Sequence, residues 1–111
     1  MRKLMFIASI LLSTPVVASD NRYELLMGVV QAKASICLEN NAINKRQHDF
    51  INEQFKKAFT LSAQRSKLTI NPVQVVKDTE HVKDYIHYRY ENLATFRPTC
   101  SWLLEDAEYI K

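Results

Sequence analysis

Few residues in this chain are of a type and spacing that could do chemistry, and they form three groups. The first is a pair of cysteines, Cys37 and Cys100. Thiols act as redox couples, nucleophiles, metal ligands or crosslinks. No C-x-x-C is present and no histidine stands beside either cysteine, so the pair reads as a structural disulfide with one possible connectivity. The second group is Glu80, Asp84, His87 and Glu91, which share one face of a helix. Carboxylates with imidazole can hold a divalent metal. Lys77 and Lys83 flank the stripe, however, and charge opposite an apolar face is the ordinary exterior of a surface helix. The expectation is therefore no metal and no cofactor. The third group is the run Tyr85-Ile86-His87-Tyr88-Arg89-Tyr90. Consecutive aromatics point all round a helix, so some stay at the surface. Tyr and Arg are enriched where proteins bind proteins, although a half-buried tyrosine with its hydroxyl in water explains the same pattern.

Other signals of catalysis are missing from the sequence. His48 stands between polar residues, and His81 has no strong partner pattern. There is no Gly-rich phosphate loop, nucleophile elbow or paired-cysteine metal motif. General acid–base chemistry needs groups held in a cleft, which a small helical domain seldom provides. The chain reads as a binding protein and not as an enzyme.

The elements that must position these groups are helices. Gly28 is the only glycine, and three prolines are present in all; a β-rich domain needs more turn residues than that. The first helix is expected from about Asn21 to Leu38, with Asn21 and Glu24 at capping-box spacing. Tyr23, Leu26, Met27, Val30, Ala34, Cys37 and Leu38 would share its buried face. The second helix starts at Asn44, with Gln47 three residues on, and carries Phe50, Ile51, Phe55, Ala58 and Phe59. The third follows Asn71-Pro72, where the asparagine caps, the proline suits the first turn and Gln74 repeats the box. Val73, Val76, Ile86, Tyr90 and Leu93 would form its buried side, with a break near Asp78-Thr79. Leu68-Thr69-Ile70 and Val73 to Val76 are β-branched runs, so residues 68–77 are open to helix, loop or strand. The fourth helix begins near Pro98 with Cys100, Leu103, Leu104, Ala107 and Ile110 on one face; Trp102 falls off that stripe and could pack beside Cys37. The fold class expected is all-α: a small four-helix domain in which one disulfide joins the first and last helices.

The N-terminus reads as a secretory signal, residues 1–18. Arg2 and Lys3 precede the apolar run Leu4 to Leu12, and Val16-Val17-Ala18 suits a signal peptidase. The run is too short to span a bilayer, which takes roughly 20 apolar residues, and Pro15 interrupts it. Residues 19–111 then form a single helical domain with no stable membrane insertion. Export places both cysteines in an oxidising compartment. A closed loop of about 64 residues gives on the order of 4 kcal/mol by chain entropy. Arg2 and Lys3 leave with the signal and no acid does, which takes the formal charge from +3 to +1. That near-neutral balance argues against nucleic acid, whose binders carry a strongly basic face. Lys45, Arg46, Lys56, Lys57, Arg65 and Lys67 still outnumber Asp49 and Glu53 in the middle, while Glu105, Asp106 and Glu108 make the C-terminus acidic.

Three stretches resemble the PulS/OutS-type pilotins of type II secretion systems. An apolar helix ends in Lys33-Ala34-Ser35-Ile36-Cys37. An amphipathic helix ends Phe55-Lys56-Lys57-Ala58-Phe59-Thr60-Leu61-Ser62. Tyr90-Glu91-Asn92-Leu93 leads to Pro98, Cys100 and a final helix ending Tyr109-Ile110-Lys111. The resemblance implies a small exported four-helix protein that binds a C-terminal segment of a secretin in a groove and assists its assembly. It also implies a periplasmic location, peripheral at the outer membrane. In this reading Tyr85 and Tyr88 line the groove's rim, and Lys56, Lys57 and Arg65 meet acids of the partner. The sequence departs from many pilotins in having Ala18-Ser19 where a lipid-bearing cysteine would stand, and Cys37-Leu38-Glu39 where Cys-Gly-Tyr is typical. The alternative is a periplasmic immunity or inhibitor protein neutralising a toxin or a cell-wall lytic enzyme. An acid-stress chaperone is a third.

The signal reading makes a direct prediction. The mature protein should begin at Ser19, and intact-mass measurement of the exported protein checks it. A full-length or acylated mass would overturn it.

Overall fold

A computed structural model describes residues 21–90 and 92–110; the proposed signal, residues 1–18, and Glu91 lie outside the described residues. Four α-helices follow one another: α1 (Arg22–Glu39), α2 (Lys45–Arg65), α3 (Pro72–Arg89) and α4 (Arg97–Ile110), with a 3-10 turn at Leu93–Phe96 ahead of α4. Among the described residues there is no strand, and no helix is long and apolar enough to cross a membrane.

The local reasons for these boundaries are visible at each end. Asn44 caps α2 in a complete capping box: its side chain accepts from Gln47 N–H at 2.8 Å while Gln47 Oε1 accepts from Asn44 N–H at 2.9 Å. The loops after α1 and α2 close in the same way without any glycine. Asn41 and Lys67 take the left-handed conformation, each with φ 59°. Ala42 N–H then bonds Cys37 O, and Leu68 N–H bonds Ala63 O, at 2.9 and 2.8 Å. These are six-to-one closures that satisfy carbonyls left over at a helix end.

Two expectations about α1 and α3 change. Asn21 precedes α1 but its side chain makes no capping bond. Glu24, placed by spacing in a box with Asn21, is instead only 6% exposed and reaches across to α3. There its carboxylate accepts from Asn71 N–H at 2.8 Å. Asn71 Oδ1 accepts from Val73 and Gln74 N–H, but the Gln74 side chain donates to Asp78 instead of closing a box. The reciprocal half of the α3 cap is therefore supplied from α1, and a negative charge at a helix N-terminus is also favoured by the helix dipole.

Residues 68–70 are loop, and α3 runs unbroken from Pro72 through Asp78-Thr79. Thr79 does not start a new cap; its hydroxyl donates back to Val75 O at 2.7 Å. The buried positions of α3 are Val75 and Ile86, while Val73 and Val76 are exposed. Pro72 sets the register at the first turn, and that register turns Val75 inward. Tyr90 lies just past α3, its ring edge-on to Phe96 with centroids 5.4 Å apart.

The packing has α1 at its centre. α3 lies against it on one side and α2 and α4 on the other, while α2 and α3 touch little. Glu24 meets Asn71, Gln31 meets Thr79 and Glu39 meets Lys83, so α1 and α3 run parallel. α2 returns antiparallel, bringing Ser66 to Tyr23. Because neighbours surround it, α1 is buried at Glu24, Met27, Gly28, Val30, Ala32, Ala34, Ile36 and Cys37, not along a single stripe, and Leu26 stays exposed. One core joins Val30, Ala34, Ile36, Ile51, Ile86, Phe96, Leu103 and Ala107. Trp102 does not pack beside Cys37; it is 61% exposed, on the side of α4 away from Cys100, Leu103 and Ala107.

Cys37 and Cys100 form the disulfide, with Cα atoms 5.8 Å apart, both in the core. It ties the last turn of α1 to the first turn of α4. Replacing Cys100 by Ser should lower stability by about 2–5 kcal/mol, measured as a drop in the urea midpoint of the oxidised protein. Two free thiols in the wild-type protein, read by non-reducing mass spectrometry, would contradict the pairing.

Candidate partner-binding groove

Two helices that pack on a third without packing on each other leave a trough between them. Here the trough lies between α2 and α3 and has a volume of about 560 Å³. Met27 and Gln31 of α1 form its floor. Lys56, Thr60, Ala63 and Gln64 line it from α2, and Pro72, Val75 and Val76 from α3; Leu68, Thr69 and Ile70 close the end where the chain passes between the two helices. Val76 is 61% exposed at the lip. Its apolar side chain stands beside the trough with no intramolecular cover for much of its surface.

The position of the α3 wall follows from Gly28. A Cβ on Gly28 would lie 2.7 Å from Asp78 Cβ and 3.0 Å from Thr79 N. Only a hydrogen at this site lets the two backbones approach so closely. Polar contacts then set the register along the seam. Glu24 holds Asn71 at one end, and Gln31 Oε1 lies 3.3 Å from the Thr79 hydroxyl midway. At the far end Glu39 receives Lys83 at 3.0 Å, with His87 Nε2 at 3.8 Å from its other oxygen. Asp78 Oδ2 is buried at this seam without a hydrogen-bond partner among the described residues.

The residues expected to meet a partner are divided among different surfaces. Lys56 stands on the α2 wall of the trough. Lys57, on the outer ridge of α2, and Arg65, beyond it, do not line the trough; both border a smaller hollow of about 430 Å³ with Gln54, Ala58, Leu61, Ser62 and, from α4, Ile110. Gln54 is buried there and its Oε1 has no partner among the described residues. Tyr85 and Tyr88 are both exposed, Tyr88 at 85%, but neither lines the trough. At 3.6 residues per turn, Tyr85 emerges on the side of α3 opposite Val76, and Tyr88 faces outward. By periodicity Met27 and Val76 belong to buried helix faces and not to a partner site, and Gln31 carries no signal of its own. The signal for the α3 wall was the β-branched run around Asn71-Pro72, which read as an ambiguity of secondary structure and not as a wall.

The acidic stripe of α3 lies at the surface. Glu80, Asp84 and His87 are exposed, and His87 approaches Glu39 of α1. Among the described residues no three Asp, Glu, His or Cys side chains gather as a metal site would require. On α2, His48 Nδ1 and Lys45 Nζ each lie 2.9 Å from Asp49 Oδ1. These hydrogen bonds, that from His48 foremost, hold the Asp49 carboxyl below the usual aspartate range. That cluster is exposed at the start of α2.

Against protein-family models, curated proteins and solved structures, the chain finds no match.

The close contact at Gly28 carries a test. Gly28→Ala adds a methyl where the facing atoms are backbone and a Cβ, neither of which can swing aside. It should lower stability by about 1–3 kcal/mol, the usual range for overpacking, despite the better helix propensity of alanine. Urea denaturation measures it, and an unchanged or raised midpoint would show that the seam has slack.

Proposed function

We propose that this protein is an exported periplasmic binding module of the pilotin kind, and that it takes the C-terminal segment of a secretin into the trough between α2 and α3. The observation that carries the reading is the trough itself, with Met27 on the floor and Val75 and Val76 on one wall. An amphipathic helix docking its apolar face into such a groove is a common mode of peptide recognition. Removal of apolar surface from water supplies most of the affinity. The resemblance of the helix ends around Cys37, Phe59 and Cys100 to pilotins agrees with that mode. The role assigned is binding, with no catalytic step.

A near-neutral exported domain has little long-range field to steer a partner. Charges at the trough's edge are hydrated and screened. Affinity should therefore fall only modestly between low and physiological salt.

The test is titration of the mature protein with the C-terminal secretin peptide from the same genome, alongside Val76→Asp. The peptide should bind, and Val76→Asp should weaken it by about tenfold or more, since a carboxylate at the lip must be desolvated without a partner. Should the peptide fail to bind while a periplasmic pull-down captures a toxin or lytic enzyme, the immunity or inhibitor reading replaces this one.

A further inference from the structure

The two walls of the trough differ in kind. From α3 it is bounded by Pro72, Val75 and Val76. These offer no side-chain hydrogen-bond donor, and Pro72 has no backbone N–H either. From α2 it is bounded by Lys56, Thr60 and Gln64, with Ala63 below them. The polar wall also continues. A shallower depression of about 350 Å³ shares Lys56, Thr60 and Gln64 with the trough and crosses the outer ridge of α2 to Lys57 and Leu61.

The cation on this wall, Lys56, and its neighbour Lys57 on the ridge behind are uncommitted. Lys45 pairs with Asp49 and Lys83 with Glu39, but neither Lys56 nor Lys57 has an ion pair or hydrogen bond among the described residues. Glu53 borders the shallow depression and precedes the two lysines by three and four residues, a spacing that permits pairing on a helix. It nevertheless makes no salt bridge with either. The wall thus presents one free ammonium group, that of Lys56, and two neutral hydrogen-bonding side chains opposite a wall that is wholly apolar; Lys57 and Glu53 stand on the ridge behind it.

We infer that the trough selects an amphipathic helical segment whose apolar stripe is flanked on one side only by carboxylates, with Lys56 facing that acidic flank. This rests on the trough being the binding site, and it adds what the occupant must look like and how it must lie. A helix laid in the trough puts one flank against α2 and the other against α3. Turning it end for end exchanges the flanks. A segment with acids on one side therefore fits in one direction: reversed, it strips water from its carboxylates against Val76 and Pro72 and leaves Lys56 over apolar side chains. The asymmetry of the walls fixes the direction in which the partner chain runs. Tyr85 and Tyr88, on other sides of α3, take no part.

Two synthetic helical peptides test this directly. They share one apolar stripe; one carries Glu along a single flank and the other carries Lys at the same positions. Fluorescence anisotropy at low ionic strength measures both against the wild-type protein, Lys56→Glu and Val76→Asp, each checked for helicity by circular dichroism. The Glu peptide should bind the wild type about three- to tenfold more tightly than the Lys peptide, as expected when an exposed charge pair at Lys56 becomes a like-charge contact. Lys56→Glu should abolish or invert that preference, and Val76→Asp should weaken both peptides. Equal binding of the two peptides, or a preference that survives Lys56→Glu, would overturn the inference; if Val76→Asp still weakens both, the trough remains the site. If neither peptide binds at millimolar concentration, the inference falls together with the trough.

Discussion

Glu24 and Gly28 stand one turn apart on α1, and between them they decide where α3 lies. Gly28 removes the side chain that would hold the two backbones apart. Glu24 anchors the first peptide N–H of the α3 cap. Since α3 packs chiefly on α1, few other contacts could compensate if this seam opened. Burying a carboxylate is unfavourable unless it is hydrogen-bonded, and here the bond goes to a backbone N–H at the positive end of a helix. The seam therefore couples the start of α1 to the start of α3, across 47 residues of chain. The α3 wall of the trough stands wherever that coupling puts it.

The opposite end of α1 is secured differently. There the disulfide fastens Cys37 to α4, and Phe96 on the preceding turn packs into the same core. The Arg97 side chain adds a long hydrogen bond to Asn40 O. One end of the central helix is thus held by polar capping and close backbone contact, the other by a covalent link inside an apolar cluster. Between these anchors α2 leans on α1 through Ile51, which is fully buried, and the half-buried rings of Phe50, Phe55 and Phe59. Because α2 and α3 are fixed independently, the space between them is left unfilled by the chain's own side chains. Its character is then set by what each helix turns toward it: valines and a proline from α3, a lysine and neutral polar groups from α2.

Local sequence determined a good deal of this molecule. The all-α class, four helices and the Cys37–Cys100 pairing follow from scarce glycine and proline, apolar periodicity and a two-cysteine count. Those signals are short-range or have one solution. The α2 cap is complete because Asn44 and Gln47 act within one turn, and the stripe from Cys100 to Ala107 is buried as its spacing implies. Contacts between distant residues decided the rest. Glu24 has the spacing of a local cap, yet its carboxylate serves a helix that begins at Pro72. Gly28 counts in the sequence only as the single glycine of the chain, and its role appears where Asp78 and Thr79 pack against it. The buried side of α3 shifted from Val73 and Val76 to Val75, since periodicity alone does not say which of several adjacent valines meets the neighbour. The trough was not legible for the same reason: a gap belongs to no segment, and it exists only because α1, packed on both sides, keeps α2 and α3 apart.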